Sequence, residues 1–188
     1  MDKIRLGMVD YLNCVPVYQP LEEGVIPLAA QIVKGPPTRL NGMFIKGELD
    51  ITPISSIEYA RHHREALILP DLAITADGEV MSISLIGKVP PTELDGRKVA
   101  LTSSSATSVV LLKILLEHYY QVQPDYMTMP PDLDTMLENA DAALLIGDDA
   151  ILANYRCARE HSPLHVTDLG AAWKEFTGEK MVYALWVI

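Results

Sequence analysis

The chain has 188 residues, 49% apolar and 21% charged, with a formal net charge of −10. That length suits one large domain or two small lobes with a proper core, and no apolar run reaches the roughly 20 residues a bilayer span requires. The negative charge has no Lys/Arg cluster to offset it, which argues against a nucleic-acid partner.

The first residues, Met1 to Gly7, lack the long apolar segment of a secretory leader. Cys14 and Cys157 lie far apart with no CxxC. Both features lead us to expect a reduced, cytoplasmic protein.

Ile4 to Val9 reads as a first strand running into Asp10-Tyr11-Leu12-Asn13-Cys14-Val15-Pro16. Asn13 falls just past the strand end, where parallel sheets place their ligand crevices; a turn asparagine bonding its own backbone explains it as well. A short helix through Tyr18 and Leu21 is expected to end at Gly24. Leu28 to Val33 reads as a second strand, broken by Gly35-Pro36-Pro37. Thr38 to Lys46 reads as a helix with Gly47 as its stop. Leu49 to Pro53 reads as a third strand. Ser55-Ser56-Ile57-Glu58 then has the spacing of a capping box. Ala66 to Leu69 and Leu72 to Thr75 read as two short extended pieces around Pro70.

Val80 to Ile86 reads as an alternating strand with Ser82 and Ser84 on one face. The Pro-rich piece near Lys88 to Pro91 reads as a boundary between lobes. Val99-Ala100-Leu101 then reads as a buried strand, and Thr102-Ser103-Ser104-Ser105-Ala106-Thr107-Ser108 as a hydroxyl run opening a helix. Val109, Leu112, Leu115, Leu116 and Tyr119 fall at helical spacing in it. Ser and Thr cap helices by accepting their first N–H bonds, but this many hydroxyls exceed what one cap needs. A helix start also offers N–H groups and a positive dipole end to an anion. The residues alone leave an ordinary cap and an anion seat evenly matched.

Tyr126 to Met129 is a further expected strand, Asp132 to Asn139 a helix, and Ala142 to Ile146 a buried strand ending in Gly147-Asp148-Asp149. Gly147 permits a close backbone approach, and Asp148 reads as the cap of a helix through Tyr155. His165 to Asp168 is a short strand, Leu169 to Phe176 a helix stopped by Gly178, and Met181 to Ile188 a last strand. Strands alternating with helices predict an α/β fold with a largely parallel sheet. His62, His63, His118, His161 and His165 show no metal-ligand spacing. No GxGxxG, GxxxxGK[ST] or GxSxG is present. No metal or cofactor is expected.

Six pieces occur in a specific order: Asp10-Tyr11-Leu12-Asn13-Cys14-Val15-Pro16, Gly47-Glu48-Leu49-Asp50-Ile51, Asp77-Gly78-Glu79-Val80-Met81-Ser82, Ser103-Ser104-Ser105-Ala106-Thr107-Ser108, Ala142 to Asp148, and Gly170 to Gly178. Together they resemble chorismate dehydratase of the futalosine route to menaquinone, along essentially the whole chain. The sister dihydroxynaphthoate synthase shares the fold, but Leu12 to Pro16 resembles the dehydratase. A non-catalytic carboxylate-binding protein is the other class to weigh.

The resemblance implies a two-lobed, periplasmic-binding-protein-like (type II) fold. Residues 1–84 plus 183–188 would form one lobe, residues 85–182 the other, with the ligand in the cleft between. In the family, further helices complete the first lobe. This chain stops at Ile188, and the sheet they would cover is expected to favour a homo-oligomer. The reaction implied takes chorismate to 3-[(1-carboxyvinyl)oxy]benzoate and water. Asn13 and Ser82 match the family's catalytic positions. Ser55, Ser56, Ser103, Ser104, Ser105, Ala106, Thr107, Gly147 and Asp148 are the expected substrate-binding residues. Neither Asn13 nor Ser82 is a strong base at neutral pH. The resemblance implies that the substrate's own enolpyruvyl carboxylate takes the ring proton.

Overall fold

Ile4–Met8 forms β1 in the computed structural model, which describes residues 3–188. It pairs in parallel with β2 (Ala30–Lys34), Leu6 facing Ile32. A 3₁₀ turn at Leu12–Cys14 leads from β1 into α1 (Val15–Glu22), which has proline in its first turn, where a missing N–H costs nothing. The same device opens α2 (Pro37–Ile45). Then come β3 (Thr52–Ser55), α3 (Ser56–His62) and β4 (Ile68–Ala76).

The described residues fall into two units. The first is the chain up to Ile74 together with Val182–Ile188; the second is Thr75–Met181. The sequence reading put the end of the first at residue 84. In the first unit the returning strand β10 (Met181–Val187) lies between β3 and β4, giving the order β3-β10-β4. β10 runs antiparallel to β3, with Trp186 opposite Pro53. Leu6, Met8, Cys14, Tyr18, Leu40, Leu49 and Trp186 form its core. Inside that core the Tyr18 hydroxyl donates to the Gly7 carbonyl at 2.8 Å and accepts from Trp186 Nε1 at 3.1 Å. Burial raises the Tyr18 phenol far above its usual range, so the group stays a donor.

Two expectations shift here. The strand read at residues 49–53 begins at Thr52, because Asp50 and Ile51 donate to the Arg5 carbonyl and Gly7 donates to that of Ile51. The segment bridges to β1 before it joins β10. The two pieces read around Pro70 are one strand, β4. It tolerates Pro70 because β4 is an edge, where a missing N–H breaks no ladder.

The second unit is built on a five-stranded sheet of order β7-β6-β8-β5-β9. Its strands are β5 (Ile83–Gly87), β6 (Lys98–Thr102), β7 (Asp125–Met129), β8 (Ala142–Ile146) and β9 (His165–Asp168). β6 is parallel to β7 and β8, whereas β5 is antiparallel to β8 and β9. The sheet is therefore mixed. Residues 88–97 link β5 to β6 without the crossover helix that a parallel return requires. Every residue of β5 and of β8 is buried, which explains why both are apolar apart from Ser84 in β5.

Four helices flank this sheet. They are α4 (Thr107–Ile114), continued by a π turn at Leu115–Tyr119, α5 (Leu133–Asn139), α6 (Gly147–Arg159) and α7 (Leu169–Thr177). Ile86, Ala100, Met136, Ala143 and Leu145 lie at the centre of one buried cluster. Asp132 caps α5 through the Thr135 N–H at 2.9 Å. Gly178 ends α7 at φ +74°, a left-handed angle that glycine adopts without steric cost. Among the described residues no helix is long and apolar enough to cross a membrane.

Candidate functional site

In the first unit, Asn13 sits in the 3₁₀ turn beyond β1 and is exposed. Beside that turn a cavity of about 330 Å³ is lined by Asp10, Tyr11, Lys34, Gly35 and Pro36, at the carboxyl ends of β1 and β2. Parallel strands collect ligand-binding loops at these ends.

The Ser55-Ser56 corner is built differently from its expected capping box. Ser55 is buried and its side chain caps nothing. Its hydroxyl accepts from Asn41 Nδ2 at 3.0 Å, and its N–H donates to Asn41 Oδ1 at 3.2 Å. Glu58 pairs with Arg61 instead of reaching back to the helix start. A tertiary partner, Asn41 on α2, has displaced the local motif. Ser56 donates its hydroxyl to the Val182 carbonyl at 2.7 Å, tying α3 to β10. Both serines expected to bind substrate thus engage their hydroxyls within this unit.

In the second unit the hydroxyl run turns the chain from β6 into α4. Ser104 and Thr102 share a hydroxyl–hydroxyl bond of 2.7 Å, and the Ser104 N–H donates to Thr102 Oγ1 at 3.2 Å. Ser105 accepts the Ser108 N–H at 3.1 Å and so serves the helix start. Thr107 is buried in the first turn, after Ala106 at the cap position. Ser103 is exposed, its backbone N–H bonded to the Met129 carbonyl.

At the next corner, β8 passes directly into α6. Gly147 takes φ +59° and its N–H donates to the Ser82 carbonyl at 2.7 Å. The backbone brought close to Gly147 is therefore the chain's own, at a second expected site residue. Asp148 is not the cap: the cap position is Ile146, and Asp148 and Asp149 occupy the first turn, at the positive end of the dipole. Burial, and then the neighbouring Asp148, raise the Asp149 carboxyl above its usual range.

Ser82 precedes β5 instead of lying in it, unlike the strand read at residues 80–86. Met81 adopts φ +61°, and its N–H and that of Val80 bond the Asp168 carboxylate. Those residues leave the ladder for that reason. Ser84 is buried and accepts from Asn154 Nδ2 at 2.9 Å.

The expected residues thus sort by what their polar ends already do. Ser55, Ser56, Ser104 and Ser105 spend theirs on the fold. The side chains of Asn13, Ser82 and Ser103 make no hydrogen bond among the described residues. Asn41, Asn154 and Asp168 were not singled out by the sequence. Asp168, standing before a helical segment, could have been read as a cap, but nothing local points to its bonds with residues 80 and 81.

A family described as menaquinone biosynthesis matches residues 4–188. A chorismate dehydratase of Thermus thermophilus is 32% identical over 194 residues, which cover 96% of this chain and 68% of that protein. Among solved structures, a protein of Archaeoglobus fulgidus superposes with a TM-score of 0.76 at 22% identity, covering 99% of this chain and 67% of that one. The periplasmic aliphatic sulphonate binding protein SsuA of Escherichia coli gives 0.62 at 17% identity, covering 100% and 61%. The fold is accordingly the α/β fold of periplasmic-binding-protein-like proteins. With nearly its whole length matched by that family and by a relative of 32% identity, the chain belongs to the menaquinone biosynthesis family.

Proposed function

We propose that the chain is a carbon–oxygen lyase that dehydrates chorismate to 3-[(1-carboxyvinyl)oxy]benzoate. The observation that carries this reading is the 32% identity, across 96% of the chain, to a chorismate dehydratase. The sorting of polar ends supports it: Asn13, Ser82 and Ser103 have side chains uncommitted among the described residues.

The reaction removes a ring C–H proton and a neighbouring hydroxyl, and the ring becomes aromatic. Aromatisation makes the overall step downhill, so the protein has to supply geometry and charge stabilisation more than a strong base. One substrate carboxylate sits at the start of α4, on the Ser103 hydroxyl and the helix-start backbone beyond Ser104, where helix N–H groups and dipole favour an anion. Asn13 both donates and accepts, and orients the enolpyruvyl group. That group's carboxylate takes the ring proton. Ser82 bonds the departing hydroxyl. Gly147 holds the Ser82 backbone, and Asp148 stays clear of the carboxylates, since like charges side by side repel.

Chorismate consumption, followed by ultraviolet absorbance with the product identified by chromatography, tests the reading. The unmutated chain is expected to release the aromatic product and water. Ser82→Ala and Asn13→Ala are expected to lose about 10²-fold or more in kcat, the usual cost of one transition-state hydrogen bond, while still binding chorismate. Binding without consumption by the unmutated chain would make it a carboxylate-binding protein. Activity on cyclic dehypoxanthinylfutalosine alone would make it the sister synthase. Full turnover by either variant would remove that residue from the mechanism.

A further inference from the structure

We propose that Asp168 is a positioning residue for Ser82, holding the strained turn at residues 80–82 in the one conformation that presents the serine. The inference rests on the role given to Ser82 above. Asp168 stands at the end of β9, before α7. One carboxylate oxygen, Oδ1, accepts the Ala171 N–H at 2.9 Å and the Val80 N–H at 3.1 Å. The other, Oδ2, accepts the Met81 N–H at 2.7 Å and the Val80 N–H at 3.1 Å. A helix cap needs only the first oxygen. The second is spent entirely on a segment 87 and 88 residues away in sequence.

That segment needs holding. Met81 lies at φ +61°, a conformation costly for a residue with a side chain. Its side chain does not pay the cost by burial, because Met81 is 62% exposed. The turn is pinned through its backbone from three directions. Asp168 takes the N–H groups of residues 80 and 81, Asn154 Nδ2 donates to the Met81 carbonyl at 3.0 Å, and Gly147 donates to the Ser82 carbonyl at 2.7 Å. With both peptides flanking Ser82 fixed, its side chain has one origin and one direction. If Met81 relaxed to negative φ, the Ser82 hydroxyl would move with it, and small misplacements of a reacting group cost up to about 10²-fold in rate. A carboxylate suits this post better than an amide, because both of its oxygens accept and an amide has only one acceptor.

Asp168→Asn separates the two roles, since its single oxygen can keep capping α7 while an amide NH₂ faces the Met81 N–H. Asp168→Ser keeps a good cap and cannot reach the turn. Each is expected to lower kcat at least about 10-fold with KM within about two-fold, and to speed amide hydrogen exchange at Met81 while α7 amides keep their protection. The double variant Asp168→Asn with Met81→Gly is expected to regain at least about three-fold of the lost kcat, because glycine adopts positive φ without the penalty. A plain cap role predicts no such rescue.

Ser82→Ala is measured alongside. If it is inactive while Asp168→Asn keeps full kcat, or if Met81 exchange is unchanged in Asp168→Asn, the positioning role is overturned and the dehydratase reading stands. If the unmutated chain does not consume chorismate, or Ser82→Ala turns over normally, the reading fails and the role falls with it.

Discussion

Tyr18→Phe removes one oxygen from the centre of the first unit. That oxygen serves two buried groups, the Gly7 carbonyl at 2.8 Å and the Trp186 indole N–H at 3.1 Å, and Tyr18 and Trp186 are only 1% and 4% exposed. The ring itself stays, so packing is nearly conserved and the loss is one of hydrogen bonds. A buried polar group stripped of its partner costs about 1–3 kcal/mol. With the lower end taken for the carbonyl, which has a second lone pair, the total is about 2–4 kcal/mol.

The assay is urea unfolding followed by the fluorescence of Trp186, in a Trp173→Phe background that leaves it the sole indole. The buried Trp173 N–H has no partner among the described residues, so that background gives up no hydrogen bond. At an ordinary urea dependence for a chain of this size, the midpoint should fall by about 1–2 M. A fall below about 0.3 M would mean that the hydroxyl does not hold β1, α1 and β10 together, and the account of this core would be wrong.

Gly7→Ala places a Cβ 2.8 Å from that of the fully buried Thr52 and 3.1 Å from Leu49 Cδ1, so it overpacks β1 against the 49–52 segment. The expected loss is about 1–3 kcal/mol, or about 3–10 °C in Tm, and an unchanged Tm would refute the close approach. The side-chain hydrogen bond from Arg5, with the Arg5 backbone N–H adding to it, lowers the Asp50 carboxyl from 3.8 to about 2. A lowered carboxylate contributes stability above its unfolded value, and that contribution is lost as pH falls through the folded one. Acid unfolding watched by circular dichroism between pH 4 and 2 should therefore be shallower in Asp50→Asn; superimposable curves would count against the pair. Because neither Asn13 nor Ser82 titrates near neutrality, kcat on chorismate should be flat from about pH 6 to 8. A profile governed by a group near 6.5 would point to a histidine.

Much of the fold was legible because it is local. Ala142 to Ile146 reads as a buried strand from five consecutive apolar residues, and Asp132 and Gly178 mark helix ends that the structure places there. What stayed hidden depends on partners remote in sequence. The Ser55-x-x-Glu58 spacing is a sound capping signal, yet Asn41 takes Ser55 and Arg61 takes Glu58. Val80 to Ser82 alternates like the strand after it, but the Asp168 carboxylate draws Val80 and Met81 out of the ladder. At the site, the hydroxyl run was visible. Which of its hydroxyls are already bonded was not, since Thr102 and Ser104 could pair or face outward with the same letters. The chemistry was legible only through the ordered set of family motifs.

The placement of β10 between β3 and β4 bears on how the protein is made. The amino-terminal segments leave the ribosome first, yet their three-stranded sheet lacks its middle strand until residues 181–187 have been translated. The contiguous second unit can close earlier, on its own contacts. The portion synthesised first is thus the one that waits, with two unpaired strand edges exposed to wrong partners in the meantime.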